Sequence, residues 1–498
     1  MFENSATGFY APAQLPWFNV VVEKSEKPKG ILQDKPEMRT AVMGYLNEKS
    51  GDNSAGDGGV LRAKMVRVMD KEVNADGSFK VNPYPADASA SGVANSGVIN
   101  YVNKFGDDTQ YDNKDPVSEL YYTAIRYLRN GAWKWESDGT QTRSGTAGAL
   151  PYTLPASPTE VHKGGFPVIT TWDDPLKAEG DKDKDMQCYT PGIIVLGDTN
   201  THNEKNLPNY PTASGITDNV ALDKDGTTKY YEKVCRLSGF CPDTDGTNDW
   251  RVSSGSKGYD DKDYAPTFGM AGMAYWVKTN DVRPDIVRED GQPTHIDSFF
   301  IDVLEGGHPK TKGNLYSATT AKSDDKMQNS YYLAGKFASP DYEVGGTYTR
   351  TDFDSTNDKT RSLWTDDKWD PAAKNSGSSN EFFPLGMPKN FAVANDPQNM
   401  KNALEAAFRK IGITKNTMQS GVQYNIGYGA ELILSAKGSA NLVAQGYIEA
   451  IKELKDGKEV ITGYKVKDHA AVQAVLDEYP ALVPLTFRAG YNTTNWTG

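Results

Sequence analysis

Gly192-Ile193-Ile194-Val195-Leu196-Gly197-Asp198 is an uninterrupted apolar run, bounded by turns and closed by Gly-Asp. A run of that length and composition predicts a central parallel strand, buried on both faces. On its N-terminal side, Met38 to Leu46 predicts a buried strand, and the alternating Val60 to Val68 predicts a partner strand across a polar loop. Val98, Ile99, Val102 and Phe105 fall on one helical face, and Gly106 stops that helix. Asp115 is placed to cap the next helix, with Pro116 at its first position and Leu120, Ile125, Leu128 and three tyrosines as its apolar stripe. Beyond the central run, Phe268 to Val277 predicts a buried Gly/Ala-rich helix and His295 to Leu304 a strand. Ser330 to Phe337 predicts a short helix, and Pro397 to Ile411 an amphipathic helix capped by Asp396. Strands therefore alternate with helices over residues 38 to 411. That order predicts an α/β doubly wound domain with a mostly parallel sheet and long loop insertions. After Lys415 the sequence becomes β-prone and Gly-punctuated, which places a boundary near residue 413 and a smaller β-rich segment beyond it.

The bulk numbers fit one large decorated domain or two to three smaller ones in 498 residues. Only 37% of residues are hydrophobic beside 47 Gly and 27 Pro, so loops and turns surround a compact centre. A net charge of −12 without a Lys/Arg cluster argues against a phosphate-tracking surface, so nucleic acid is not an expected partner. No window approaches 18 consecutive apolar residues, which leaves nothing to span a bilayer. The start lacks a basic segment followed by an apolar one, so no signal peptide is present in this chain. Of the three cysteines, Cys235 and Cys241 are close enough to close a short disulfide loop, and Cys188 has no obvious partner. The alternative is three reduced thiols.

Asp198 is a candidate ligand or metal residue, together with Thr199 and Asn200, because ligands of open α/β sheets sit beyond the carboxyl ends of the strands. The alternative is that these three residues close a turn or cap a helix. Asp223, Asp225, Gly226 and Glu232 match the third, fifth, sixth and twelfth positions of a calcium loop. Ala221 occupies the first position and removes one carboxylate, so a solvated turn ahead of a helix competes with any calcium site. A divalent cation, magnesium or calcium, is thus the one cofactor the residues raise. No nucleophile elbow, zinc-binding helix, P-loop or dinucleotide fingerprint occurs, and no two of the five histidines sit at metal-ligand spacing. The acidic pair Asp173-Asp174 points its side chains in different directions. No enzyme is expected.

The order of whole segments carries more than any motif. Pro28-Lys29-Gly30-Ile31-Leu32-Gln33, Gly58-Gly59-Val60-Leu61-Arg62, Asn95-Ser96-Gly97-Val98-Ile99-Asn100-Tyr101 and Asp115-Pro116-Val117-Ser118-Glu119-Leu120 resemble, in order, the PilC/PilY family of type IV pilus tip adhesins and assembly factors. So do Trp172-Asp173-Asp174-Pro175, Gly197-Asp198-Thr199-Asn200-Thr201-His202, Ile301-Asp302-Val303-Leu304-Glu305 and Tyr331-Tyr332-Leu333-Ala334-Gly335-Lys336-Phe337. The resemblance implies an N-terminal extension over 1–27, a von Willebrand factor A-like domain over 28–412 and a connector over 413–498 leading toward a β-propeller that this chain lacks. It further implies a secreted protein that reaches the pilus tip or cell surface through the periplasm. There such proteins work with minor pilins in pilus assembly and twitching, and attach to host-cell or surface ligands. In von Willebrand A-like domains a D-x-S-x-S element holds a metal. Asp87-Ala88-Ser89-Ala90-Ser91 has that spacing, but the two prolines before it exclude a buried strand there, so the match is read as accidental. A structural subunit of an extracellular filament and a metal-regulated ligand-binding receptor using Asp198 are the competing expectations.

Overall fold

The protein was analysed as a computed structural model. It describes residues 30–32, 38–47, 58–104, 116–177 except 149, 152, 153 and 155–157, 190–197, 206–209 and 216–238. The described set continues with 267–303 except 289 and 290, then 329–339, 342, 344–349, 352, 388–394, 397–416, 431–435, 441–445, 448–455 and 458–466.

In chain order the first half contains β1 (Arg39–Gly44), β2 (Val60–Arg67), α1 (Val68–Glu72), α2 (Pro85–Ser91), α3 (Val98–Lys104) and α4 (Val117–Leu128). It continues through β3 (Ala132–Trp135), β4 (Gln141–Ser144), α5 (Glu160–Lys163), β5 (Gly192–Gly197), α6 (Tyr230–Leu237) and α7 (Thr267–Thr279). Then follow β6 (Asp297–Asp302), α8 (Asn329–Phe337), β7 (Phe391–Val393) and α9 (Pro397–Asn416). Four further strands close the described chain: β8 (Glu431–Ser435), β9 (Asn441–Gln445), β10 (Ile448–Lys455) and β11 (Lys458–Val466).

The run expected to be a central strand buried on both faces is β5, but among the described strands it lies at the end of the sheet with Leu196 exposed; it pairs in parallel with β6, the middle strand, which pairs in parallel with β7. All six residues of β6 are buried, so the middle strand of this sheet carries apolar and polar side chains alike into the interior. The molecule is α/β as expected, but before the C-terminal segment the described strands outside the three-stranded sheet pair antiparallel, β3 with β4 among them. β1 and β2 form an antiparallel hairpin of their own, separate from the parallel sheet, with bulges near Val42. The C-terminal β-rich segment is realised as two antiparallel pairs, β8 with β9 and β10 with β11. α9 extends through residue 413 to Asn416, past the expected end at Ile411, so the chain is still helical where the boundary was placed.

Two helices form the centre. α4 starts after Pro116, which sits at its cap and not at its first turn; Asp115, the expected cap, lies outside the described residues, as does Asp396 ahead of α9. The expected stripe of α4 is instead a nearly complete buried surface: Glu119, Thr123 and Arg126 are buried beside Tyr121, Tyr122, Ile125 and Leu128. α7 is buried over its whole length from Met270 to Thr279. Gly272 makes that possible, because a Cβ there would lie 2.7 Å from the Tyr231 ring and 3.0 Å from its backbone nitrogen. On the other side of the sheet α9 lays Met400, Ala403 and Leu404 against Ile194 and Ile301. The parallel sheet is thus covered on both faces, as its apolar strands require.

Candidate functional site

Parallel pairing places the carboxyl ends of β5, β6 and β7 on one edge, where Gly197 is in register with Asp302 and Asp302 with Val393. The Val303 N–H donates to the Gly197 carbonyl at 2.9 Å, and the Ala394 N–H donates to the Asp302 carbonyl at 2.8 Å. These two bonds hold the three strand ends level. Tyr331, in the first turns of α8, is packed edge-on against Phe300 with ring centroids 6.2 Å apart. Its hydroxyl comes so close to Gly197 that a Cβ there would lie 2.6 Å from it. Glycine is therefore demanded at 197 by a tyrosine hydroxyl at the sheet edge. The edge brings together Gly197, the buried Asp302 at the end of the middle strand and the approach of that hydroxyl to Gly197. Ligands of open α/β sheets sit beyond strand ends of this kind.

Asp198, Thr199 and Asn200 follow Gly197 directly, and all three lie outside the described residues. Asp302 was missed as a site residue from sequence. The signal was present in Phe299-Phe300-Ile301-Asp302, a second apolar run ending in Asp, which registers with the first only once the strands are paired.

The calcium-loop candidates occupy a turn ahead of α6. Asp225 accepts hydrogen bonds from the backbone N–H groups of Thr227 and Thr228 at 2.8 and 2.7 Å and from the Thr228 hydroxyl at 2.5 Å. The Thr228 and Thr227 donors hold its carboxyl down to about 2. Asp223 accepts from the Lys224 N–H and faces Lys233 at 3.5 Å, while Glu232 on α6 faces Arg236 at 3.7 Å. A cation here would have to displace three N–H and O–H donors from Asp225 alone. Asp87 lies on α2 and pairs with Lys64 at 3.0 Å. Among the described residues no group of three or more His, Cys, Asp and Glu side chains is arranged to hold a metal ion. Cys235 is disulfide-bonded; Cys188 and Cys241 lie outside the described residues.

Buried polar networks invisible in the sequence hold the site's supports. Arg129, fully buried at the end of α4, donates to Asp218 at 2.7 Å and Asn219 at 2.6 Å and stacks 4.8 Å from the Trp276 ring. Tyr122 donates to the other Asp218 oxygen at 2.9 Å. Arg283 forks onto both Asp174 oxygens at 2.8 and 2.7 Å and also reaches Asp285. Burial pushes the Asp174 carboxyl up, but the Arg283 hydrogen bonds and charge outweigh it and leave it below the usual range. At the amino end of β6, Lys278 donates to Asp297 at 2.8 Å with His295 at 3.4 Å. There too burial is outweighed, chiefly by the Lys278 charge, and Asp297 falls well below an ordinary carboxylate.

No family model matches the chain, and no solved structure matches it. No helix among the described residues is long and apolar enough to cross a membrane. A relative from Xylella fastidiosa described as a "Type IV pilus biogenesis factor PilY1 homolog" is 28% identical over 433 residues. The match covers 77% of this chain and 30% of that relative, so the chain spans less than a third of its relative's length while being similar, over most of its own, to a type IV pilus biogenesis factor.

Proposed function

We propose that this chain is the pilus-biogenesis region of a surface-exposed type IV pilus factor, acting without enzymatic chemistry. The observation that carries the proposal is the 28% identity over 433 residues to a protein described as a pilus biogenesis factor. The finer reading is a tip-located adhesin module that works with minor pilins and reaches its position through the periplasm. Within it, the carboxyl edge of the parallel sheet around Gly197, Asp302 and Tyr331 is where a host or surface ligand is contacted. The parallel register of β5, β6 and β7 supports that assignment, because ligands of open α/β sheets sit beyond the carboxyl ends of the strands.

A test is to shear pili from cells expressing the full-length protein and probe the sheared fraction with antibody against residues 28–412. Co-fractionation with pilins, with gold label at filament ends, is the expected outcome. Label confined to the cytoplasm would remove the proposal. Attachment of the same cells after Asp302→Ala tests the edge separately: loss of attachment with pili retained is expected, and unchanged attachment would remove the ligand assignment alone.

A further inference from the structure

Lys233, half-buried on α6, lays its ammonium group over two tyrosine rings at once. Its Nζ lies 4.7 Å from the centroid of Tyr230 and 5.9 Å from that of Tyr275. Those rings belong to a larger cluster. Tyr275 of α7 stands 5.6 Å from Tyr230, 5.8 Å from Tyr342 and 6.5 Å from Tyr348, with ring planes inclined by 49°, 80° and 60°. Rings inclined in this way wall a common corner and do not stack. The walls are fixed from behind. The Tyr230 hydroxyl accepts from Asn280 at 3.0 Å, and the Tyr342 hydroxyl donates to the Lys336 carbonyl at 3.1 Å. The Gly345 N–H donates to the Thr279 carbonyl at 2.8 Å, which ties the chain before Tyr348 to the end of α7.

Two carboxylates face the corner. Asp223 approaches the ammonium group at 3.5 Å, and Asp352 is held in a turn by the Thr349 N–H and hydroxyl at 2.6 and 2.9 Å. Burial first, and then Tyr230, Tyr348 and the charges of Asp352 and Asp223, push the Tyr275 hydroxyl far above its ordinary value, so the ring is neutral and feels both carboxylates. Lys233 itself is loosely held. Its hydrogen bond to Asp223 is a long one, and the two side chains keep 33% and 31% of their surface open to water. A strongly hydrated primary ammonium gains little from such a pair. The corner gives Lys233 aromatic faces and diffuse negative charge, with a distant acceptor for its N–H groups.

That combination suits a cation with no N–H to donate. We propose that the corner walled by Tyr230, Tyr275 and Tyr348 is a binding site for a quaternary ammonium group, with Lys233 as its resident plug. The plug shows the chemistry of the occupant, because the chain's own ammonium group already lies against two of the rings. A trimethylammonium head is bulkier and more weakly hydrated than that of lysine, so it gains more from ring faces, and Asp223 and Asp352 supply its counter-charge without a hydrogen bond. Lys233 has to swing out first. Its stem rotates about its own bonds, and its open side gives the charge a path into water. The site is competent only while Lys233 is out, so the affinity of the intact chain is the intrinsic affinity reduced by that fraction.

The test titrates the whole chain by calorimetry with choline, with phosphocholine and with the neutral isostere of choline in which carbon replaces nitrogen. Lys233→Ala empties the corner and should bind choline roughly tenfold more tightly than the wild type, and choline roughly tenfold more tightly than the isostere. Adding Tyr348→Ala to that variant should abolish binding, with the melting temperature kept. Lys233→Gln, which retains most of the stem over Tyr230, makes the same comparison should alanine lower the melting temperature. Phosphocholine bound more tightly than choline would support the site with a lipid headgroup as the source of the ammonium group, and choline bound as tightly or more so would support it with the free base. Absence of choline binding by the folded Lys233 variants, equal binding of choline and its isostere, binding that survives Tyr348→Ala, or equal affinities of the wild type and Lys233→Ala would overturn the proposal.

Discussion

Replacing Arg129 by Met keeps most of its buried volume and removes its charge from the junction of α4, β3 and the loop before α6. Arg129 and Asp218 are both completely inaccessible, and the side chain spans Asp218, Asn219, Gln141 and the Val282 carbonyl. With Arg129 gone, Asp218 keeps the Tyr122 hydroxyl at 2.9 Å, the Trp133 N–H at 3.2 Å and the Val220 N–H at 3.4 Å but loses its ion-pair partner. An uncompensated buried carboxylate costs about 3–5 kcal/mol, or roughly two to three and a half orders of magnitude in the unfolding constant. Trp133 and Trp276 flank the guanidinium at 6.0 and 4.8 Å, so their emission reports this region during urea unfolding. The double variant Arg129→Met with Asp218→Asn removes both charges and should recover about 2 kcal/mol relative to the sum of the single changes. A loss below about 1 kcal/mol for Arg129→Met, or simple additivity in the double variant, would refute the reasoning.

The remaining predictions concern the sheet and its edge. Asp297 has a depressed folded pKa, so its contribution is fully present above the unfolded carboxylate value of about 3.9 and is lost as pH falls through the lower folded value. Urea midpoints of the wild type should therefore fall below about pH 4, whereas Asp297→Asn should be weaker at pH 7 by about 3–5 kcal/mol and flatter in acid. Gly197→Val should push Tyr331 off the strand end, seen as a lower melting temperature that the double change Gly197→Val with Tyr331→Phe partly restores. Asp225→Ala should cost about 0.5–2 kcal/mol through loss of the turn hydrogen bonds, with no change in calcium response measured by calorimetry.

Several elements were legible in sequence because their signals are local. β5 is a continuous apolar run, α7 a Gly/Ala-rich one and α8 a short helix rich in apolar residues, whereas of the expected α3 face only Val98 and Ile99 are buried, Val102 being exposed and Phe105 outside the described residues. β7, only Phe391–Val393, is too short to carry a period and becomes a strand only by pairing with β6. Polar burial was the harder part. Glu119, Arg129 and Arg283 look like solvated helix or loop residues until Asn206, Asp218 and Asp174 arrive from about a hundred residues away. Asp302 is the same case at the site: it is one more acidic residue until register sets it beside Gly197. The hairpin at β1 and β2 was legible as two strands, but its separation from the parallel sheet was not, because which strands pair over such distances is set by long-range contacts.

Pilus formation tests the central claim most directly. With the region encoding residues 28–412 deleted in frame from the full-length gene, surface pili counted by electron microscopy should be lost and twitching zones should collapse, both restored by the intact gene. Normal pilus numbers and normal twitching in the deletion strain would contradict the assignment to pilus biogenesis.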